Sequence, residues 1–340
     1  MFDSVIQNLM SPVVMFFVLG LIASLVKSDL KFPGGLSEFL SIYLLIAIGL
    51  KGGIELSEYP LSDLARPISG AILLGAVIPV IMLIISRWIG LDLKNAIGLA
   101  ASYGSVSIVT YGAAVEFLGH VQTGYESYMS AMVAIMESPA ILVSLLLLKT
   151  IEQRKASAAS APLHSYSSGI IARGSFIDGI NPAVLRESLF GKSVFLLLGS
   201  LLVGWSVGHD AMATIKPLFI DMYSSILMLF LLNMGLIAGQ RLRDVRRHGL
   251  KLILLGVFAP VVLGVMGIWV GYVSGLSLGG MTLMGVLAGS ASYIAAPAAL
   301  RSSVPEANPS IYLGLSLGIT FPFNLALGMP IYYQMAQLFS

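Results

Sequence analysis

Apolar residues gather along this chain into long runs, separated by short polar or charged connections. Ten runs can be drawn, at about 11–27, 37–50, 68–87, 94–117, 128–149, 192–209, 220–240, 249–273, 277–300 and 308–339. Most reach the roughly 20 residues that a helix needs to cross a bilayer, and the short run at 37–50 is expected to extend to about 54. The last run contains Pro322 and Pro330, which predicts either a kinked span or a span followed by an interfacial piece. The pattern therefore predicts an all-α integral membrane protein with ten transmembrane helices.

The runs also repeat. Residues 104–114 read Gly-Ser-Val-Ser-Ile-Val-Thr-Tyr-Gly-Ala-Ala, and 289–299 read Gly-Ser-Ala-Ser-Tyr-Ile-Ala-Ala-Pro-Ala-Ala, a displacement of 185. Leu74-Gly75, Pro79-Val80, Trp88 and Gly90 recur 181 positions later as Leu255-Gly256, Pro260-Val261, Trp269 and Gly271. Gly49-Leu50, Gly53 and Leu56 match Gly235-Leu236, Gly239 and Leu242. Five spans per half is an odd number, so the two copies must enter the membrane in opposite senses, as an inverted repeat. The expected organisation is a first five-helix repeat at 1–149, a linker at 150–190 and a second, inverted repeat at 191–340.

Charge fixes the expected orientation. With the N-terminus outside, sixteen Lys and Arg fall on the inner connections and three, Lys51, Arg66 and Lys216, on the outer ones. Cytoplasmic loops of membrane proteins carry such an excess, so both termini are expected outside. The basic run Arg241–His248 reads as an anchor on the anionic cytoplasmic leaflet. The linker, rich in Ser, Ala and Gly, reads as a cytoplasmic tether, with a regulatory docking site as the alternative.

Composition supports the membrane reading and removes other classes. Charged residues are 11% of the chain, against about 25% in soluble domains, and apolar residues are 57%. A net charge of +2 gives no nucleic-acid footprint, and the absence of cysteine excludes disulfides and thiolate metal sites. Met1 to Met10 lacks the basic start of a cleaved signal peptide, so the first run is expected to be a permanent span. No His-Glu-x-x-His, no close acid pair and no intramembrane His suited to a Ser occurs within the runs, so an enzyme is not expected. The four His residues are scattered, largely in connections, which argues against a metal site other than sodium.

The two Gly-Ser-x-Ser clusters carry the candidate chemistry. A helix in lipid must satisfy its own backbone, so a break is tolerated only where it lines a cavity or protein core. Two breaks meeting from opposite sides would present half-helix N-termini and hydroxyls to an anion, and unwound carbonyls to Na⁺. The expected anion site is Gly104, Ser105, Ser107, Thr110, Gly289, Ser290 and Ser292. Close helix packing through small residues is the alternative for either cluster taken alone.

Glu137 stands ten residues into a run otherwise free of charge, where an ionised carboxylate needs a cavity or a cation; a shallower position or a protonated acid is the alternative. Glu116 reads as interfacial. Asn233 and Asn324 would either hydrogen-bond across helices or lend a carbonyl to an ion. The expected sodium ligands are drawn from Glu137, Ser107, Thr110, Ser292 and Asn324.

Several of these stretches carry a resemblance. Leu300-Arg301, Pro305, Ala307-Asn308-Pro309-Ser310, Tyr312 and Gly314, after Ser290-Ala291-Ser292 and Ile294, resemble the sodium-dependent bicarbonate permease family of cyanobacteria and other bacteria. Gly104, Ser107, Thr110, Tyr125-Glu126 and Met136-Glu137 with Pro139-Ala140 resemble its first-half counterpart. The resemblance implies ten spans in two inverted repeats, divided into core and gate domains, in the bacterial inner membrane. It further implies a homotrimer, Na⁺-coupled bicarbonate uptake, and regulation by a PII-like protein at the cytoplasmic face. Tyr293 stands where that family usually has an acid, and Glu137 where it has Asp.

The sequence thus points to a secondary active transporter of a small anion, with bicarbonate symport coupled to sodium by alternating access as the leading expectation. No cofactor beyond the coupling ion is expected. The alternatives are sodium- or proton-coupled transport of another small anion or monocarboxylate, or a non-transporting sensor or channel on the same fold.

Overall fold

The apolar runs become helices. The computed structural model describes residues 2–340 apart from 58, 160–185, 187–189, 209–211 and 247–248. The first half holds α1 (Phe2–Leu9), α2 (Pro12–Leu25), α3 (Leu36–Leu56), α4 (Leu61–Trp88), α5 (Leu93–Gly104), α6 (Ile108–His120) and α7 (Met129–Ala159). The second holds α8 (Lys192–Val207), α9 (Tyr223–Arg246), α10 (Leu250–Val273), α11 (Leu278–Ala288), α12 (Ala295–Ser303) and α13 (Pro309–Gln337). No strand occurs among the described residues. Six of these segments are long and apolar enough to cross a membrane, and α2, α8 and α11 are shorter apolar helices. Most of the linker expected at 150–190 lies outside the described residues; α7 runs into its start as far as Ala159.

Glycine sets how closely the helices meet. In α3 and α8, a Cβ at Gly49 would stand 2.7 Å from the Leu197 carbonyl oxygen, and Gly53 and Gly204 face the Leu201 and Leu50 carbonyls in the same way. In α2 and α9, Gly20 and Gly235 face the backbones of Leu232 and Phe17. Each crossing joins a helix of one half to a helix of the other. Such small-residue contacts let backbones approach where the apolar solvent gives no hydrophobic drive.

The polar contacts separate into two ends. At one end Lys192 pairs with Glu38 at 2.5 Å, Lys94 pairs with Glu152 at 2.5 Å, and the Asn308 backbone N–H donates to Asn95 at 2.7 Å. At the other, the Ser277 backbone N–H donates to Glu126 at 2.5 Å and Thr123 shares a hydrogen bond with Tyr333 at 3.0 Å. We refer to these as the Lys192 end and the Lys51 end. Lys51 lies within α3, thirteen positions from Glu38 and so about 20 Å along the helix axis.

The prolines of the last run neither end nor divide its helix. α13 continues through Pro322 and Pro330 because Ser316–Thr320 and Asn324–Gly328 widen to π-helical turns. The altered ladder takes outside partners: the Asn8 side chain of α1 donates to the Leu325 carbonyl at 2.7 Å.

Candidate functional site

Both glycine-serine clusters interrupt their helices. α5 ends at Gly104 and α6 restarts at Ile108, with Ser105 and Ser107 in extended conformation between them. α11 ends at Ala288 and α12 restarts at Ala295. The glycine that ends each first half-helix is pressed against a neighbour carrying proline. A Cβ at Gly104 would stand 2.5 Å from Pro79 Cγ of α4, and one at Gly289 would stand 2.7 Å from the Pro260 carbonyl oxygen of α10.

The freed backbone groups of the two breaks bond to one another. Ser107 N–H donates to Ser290 Oγ at 2.9 Å, and Ser292 N–H donates to the Ser102 carbonyl at 2.6 Å. Ser290 Oγ in turn donates to the Leu287 carbonyl at 2.8 Å. Ser107 Oγ accepts from Thr110 N–H at 3.2 Å and so caps α6, while Ser292 Oγ accepts from Ala296 N–H at 3.2 Å in the first turn of α12. Two helix N-termini, each with its positive dipole end, therefore converge where the breaks meet.

Beside this clasp lies a small space bounded by Ser107, Ser292, Tyr293, Glu137 and Ser193. It has room of about 20 Å³, enough for one water-sized occupant. Glu137 is 3% exposed, and its Oε1 has no hydrogen-bond partner. An unpaired buried carboxylate is costly, by several kcal/mol, so the Glu137 carboxyl calls for either a cation or a proton in this space. The buried Tyr293 hydroxyl stands beside Ser107 without hydrogen-bonding geometry, and its ring packs edge-on against Phe321 at 5.6 Å. A wider cavity of about 310 Å³ adjoins from the Lys192 end and shares Glu137, Ser193, Ile294 and Ala295 with the inner space.

The family then follows from the chain as a whole. The family model described as the Na⁺-dependent bicarbonate transporter superfamily matches residues 12–337. The chain belongs to that superfamily. It is a family of transporters and not a class of enzymes. No curated protein matches the chain.

In this member of the Na⁺-dependent bicarbonate transporter superfamily, the expected site residues are not all in one place. Ser107, Ser292 and Glu137 share the inner space, and Ser290 and Thr110 stand behind them in the clasp and cap. Ser105 is buried in the first break, with no partner for its hydroxyl, but does not line that space. Gly104 and Gly289 serve close packing against α4 and α10. Asn324 is engaged elsewhere: it donates to the Gly289 carbonyl at 2.8 Å and accepts from the Tyr332 hydroxyl at 2.7 Å. Asn233 hydrogen-bonds across helices, donating to Ser37 Oγ at 2.5 Å. Two polar wall residues, Tyr293 and Ser193, are missing from the sequence-based set. Ser193 lies in the first turn of α8 and gives no local signal, because only the packing of α8 brings it to the break.

Proposed function

We propose that the protein takes up bicarbonate by sodium-coupled symport, carrying both ions past the clasped breaks by alternating access. The observation that carries this reading is the Glu137 carboxylate, unpartnered at Oε1 in a space for one small ion where two half-helix N-termini converge. Sodium would sit at Glu137, Ser107 and Ser292, and the anion would be held by first-turn N–H groups of α6 and α12 and their hydroxyls.

The arrangement supplies a reason for coupling. A bicarbonate about 5 Å from an uncompensated Glu137 would be repelled by about 3 kcal/mol at an effective dielectric of about 20. A sodium ion between them removes that repulsion, so each ion binds well only with the other. The inner space is too small for a four-heavy-atom anion beside the ion, so binding requires the breaks and the facing helices α3 and α8 to separate. The wider cavity reaching Glu137 from the Lys192 end supports a state opened toward that side, which the loop charges predict to be cytoplasmic.

The matched crossings of α2 with α9 and α3 with α8, and the matched breaks, support two inverted five-helix repeats. Assembly as a homotrimer in the bacterial inner membrane, with both termini outside and a PII-like regulator at the cytoplasmic face, follows from the resemblance and the loop charges. Proton coupling is the second reading, favoured by the same unpartnered Oε1, which would carry a proton in place of sodium.

Ser107→Ala and Ser292→Ala test the site. Each removes a hydroxyl that accepts a first-turn N–H, a loss of about 1 kcal/mol in stability. Compared at equal amounts of folded protein in proteoliposomes, both variants should show bicarbonate uptake reduced about tenfold or more. Parent-like uptake in both would remove the breaks from the transport path.

A further inference from the structure

A second polar cavity, of about 110 Å³, lies toward the Lys51 end, between α3 and α9 on one side and α6 with its connection to α7 on the other. Lys51 Nζ reaches into it and donates to the Tyr125 hydroxyl at 3.4 Å. Tyr111, Glu55, Glu116 and Ser130 complete the part of the wall that matters here. Ser224 Oγ donates to Glu116. Ser130 is 4% exposed, and its hydroxyl has no hydrogen-bond partner. It is admitted only because residue 52 is glycine, since a Cβ there would overlap Ser130 Oγ. Tyr111 and Glu116 lie on α6, four and nine positions beyond Ser107 of the break, or about 6 and 13 Å along the axis. The cavity therefore flanks the helix that leads to the inner space.

The wall mixes two kinds of group. The Lys51 ammonium and the hydroxyls of Tyr111, Tyr125 and Ser130 can donate, whereas ionised Glu55 and Glu116 only accept. A bare anion such as nitrate offers lone pairs alone and would meet the carboxylates unfavourably. Bicarbonate offers both faces, a delocalised anionic end and one hydroxyl proton. A cation alone would satisfy the carboxylates but would meet the ammonium.

We propose that this cavity is a second bicarbonate site on the approach to the breaks, with Lys51 holding the anionic end and Glu116 accepting the hydroxyl. The proposal rests on the bicarbonate reading given above and deepens it, because it places selection for a protonated oxyanion before the sodium-linked step.

The chain has no cysteine, so Ser127→Cys, in the wall of the cavity, supplies a single thiol there. Its rate of labelling by a membrane-impermeant maleimide is measured in proteoliposomes at fixed pH and ionic strength, with added bicarbonate or nitrate. Bicarbonate should slow labelling several-fold and nitrate should not. Lys51→Met in the same background should abolish the protection, and Glu116→Gln, whose amide can also donate, should let nitrate protect as well. If Lys51→Met does not fold, the change of selectivity in Glu116→Gln decides alone. Equal slowing by both anions, slowing by neither, protection that survives Lys51→Met, or unchanged selectivity in Glu116→Gln would overturn the proposal. Labelled bicarbonate uptake by the parent separates the two ideas. Uptake without protection removes this site and leaves the transport reading intact, whereas protection without uptake removes the transport reading and leaves the site. Loss of both removes both.

Discussion

Replacing Glu137 by Gln changes one carboxyl oxygen to an amide nitrogen in a space with room for a single small occupant. The residue is 3% exposed and its Oε1 has no partner, so once ionised and without a cation it leaves the parent with an uncompensated charge at a cost of several kcal/mol. Glu137→Gln removes that charge with little change of shape. At alkaline pH, where Glu137 is ionised, the variant should therefore melt several degrees higher than the parent in detergent when sodium is replaced by a large organic cation. Sodium should reverse the order of gain. At about one hundred times its dissociation constant, it should stabilise the parent by about 2.7 kcal/mol and the variant by much less. In uptake, loss of a charge-assisted contact of about 1.5–3 kcal/mol should raise the half-saturating sodium concentration about tenfold to 150-fold. The bicarbonate half-saturation, measured at the highest sodium, should move less. Thermal unfolding and radiolabelled uptake in proteoliposomes, at one pH, give both readouts. Superimposable sodium curves for parent and variant, together with equal melting in sodium-free buffer, would refute the reasoning.

Other consequences are as direct. Ser290→Ala leaves the buried Ser107 N–H without its acceptor, which should lower stability by about 1–3 kcal/mol, with Ser290→Thr restoring much of it; equal melting of Ser290→Ala and parent would mean that the clasp contributes nothing. Asn324→Leu strands the Gly289 carbonyl and the Tyr332 hydroxyl, so it should lower stability by about 2–4 kcal/mol while the folded fraction keeps the parent's sodium curve; a shifted curve would put Asn324 in the ion path. Single cysteines at Glu306 and Ser340, beyond the two ends of α13, should label from opposite sides of the membrane, and labelling from the same side would contradict the topology.

Much of this was legible in the order of residues. Each apolar run became a helix, and the runs at 94–117 and 277–300, which carry the Gly-Ser-x-Ser clusters, became the two broken ones. The displaced Pro79 and Pro260 proved to back the same glycines of the two breaks. Lys51 was harder to place. Counted among the outer connections, it lies inside α3, because Gly52, Gly53 and Ile54 continue the helix and the ammonium is spent in a polar cavity. Pro322 and Pro330 looked like interruptions, but widened turns carried α13 past them. Which serine side chain lines the inner space and which serves the clasp was beyond the sequence. Ser290 and Ser292 are two residues apart in one motif and both join the clasp, yet the Ser290 hydroxyl bonds the opposite break whereas the Ser292 side chain lines the inner space. Long-range packing alone decides that division.

The central claim is most directly tested by radiolabelled bicarbonate uptake into proteoliposomes, with an inward sodium gradient and without one, at equal external pH. The account predicts accumulation above the external concentration when sodium is directed inward, and collapse to equilibration when the gradient is dissipated. Uptake that ignores the sodium gradient, or no bicarbonate movement by a folded protein, would contradict it.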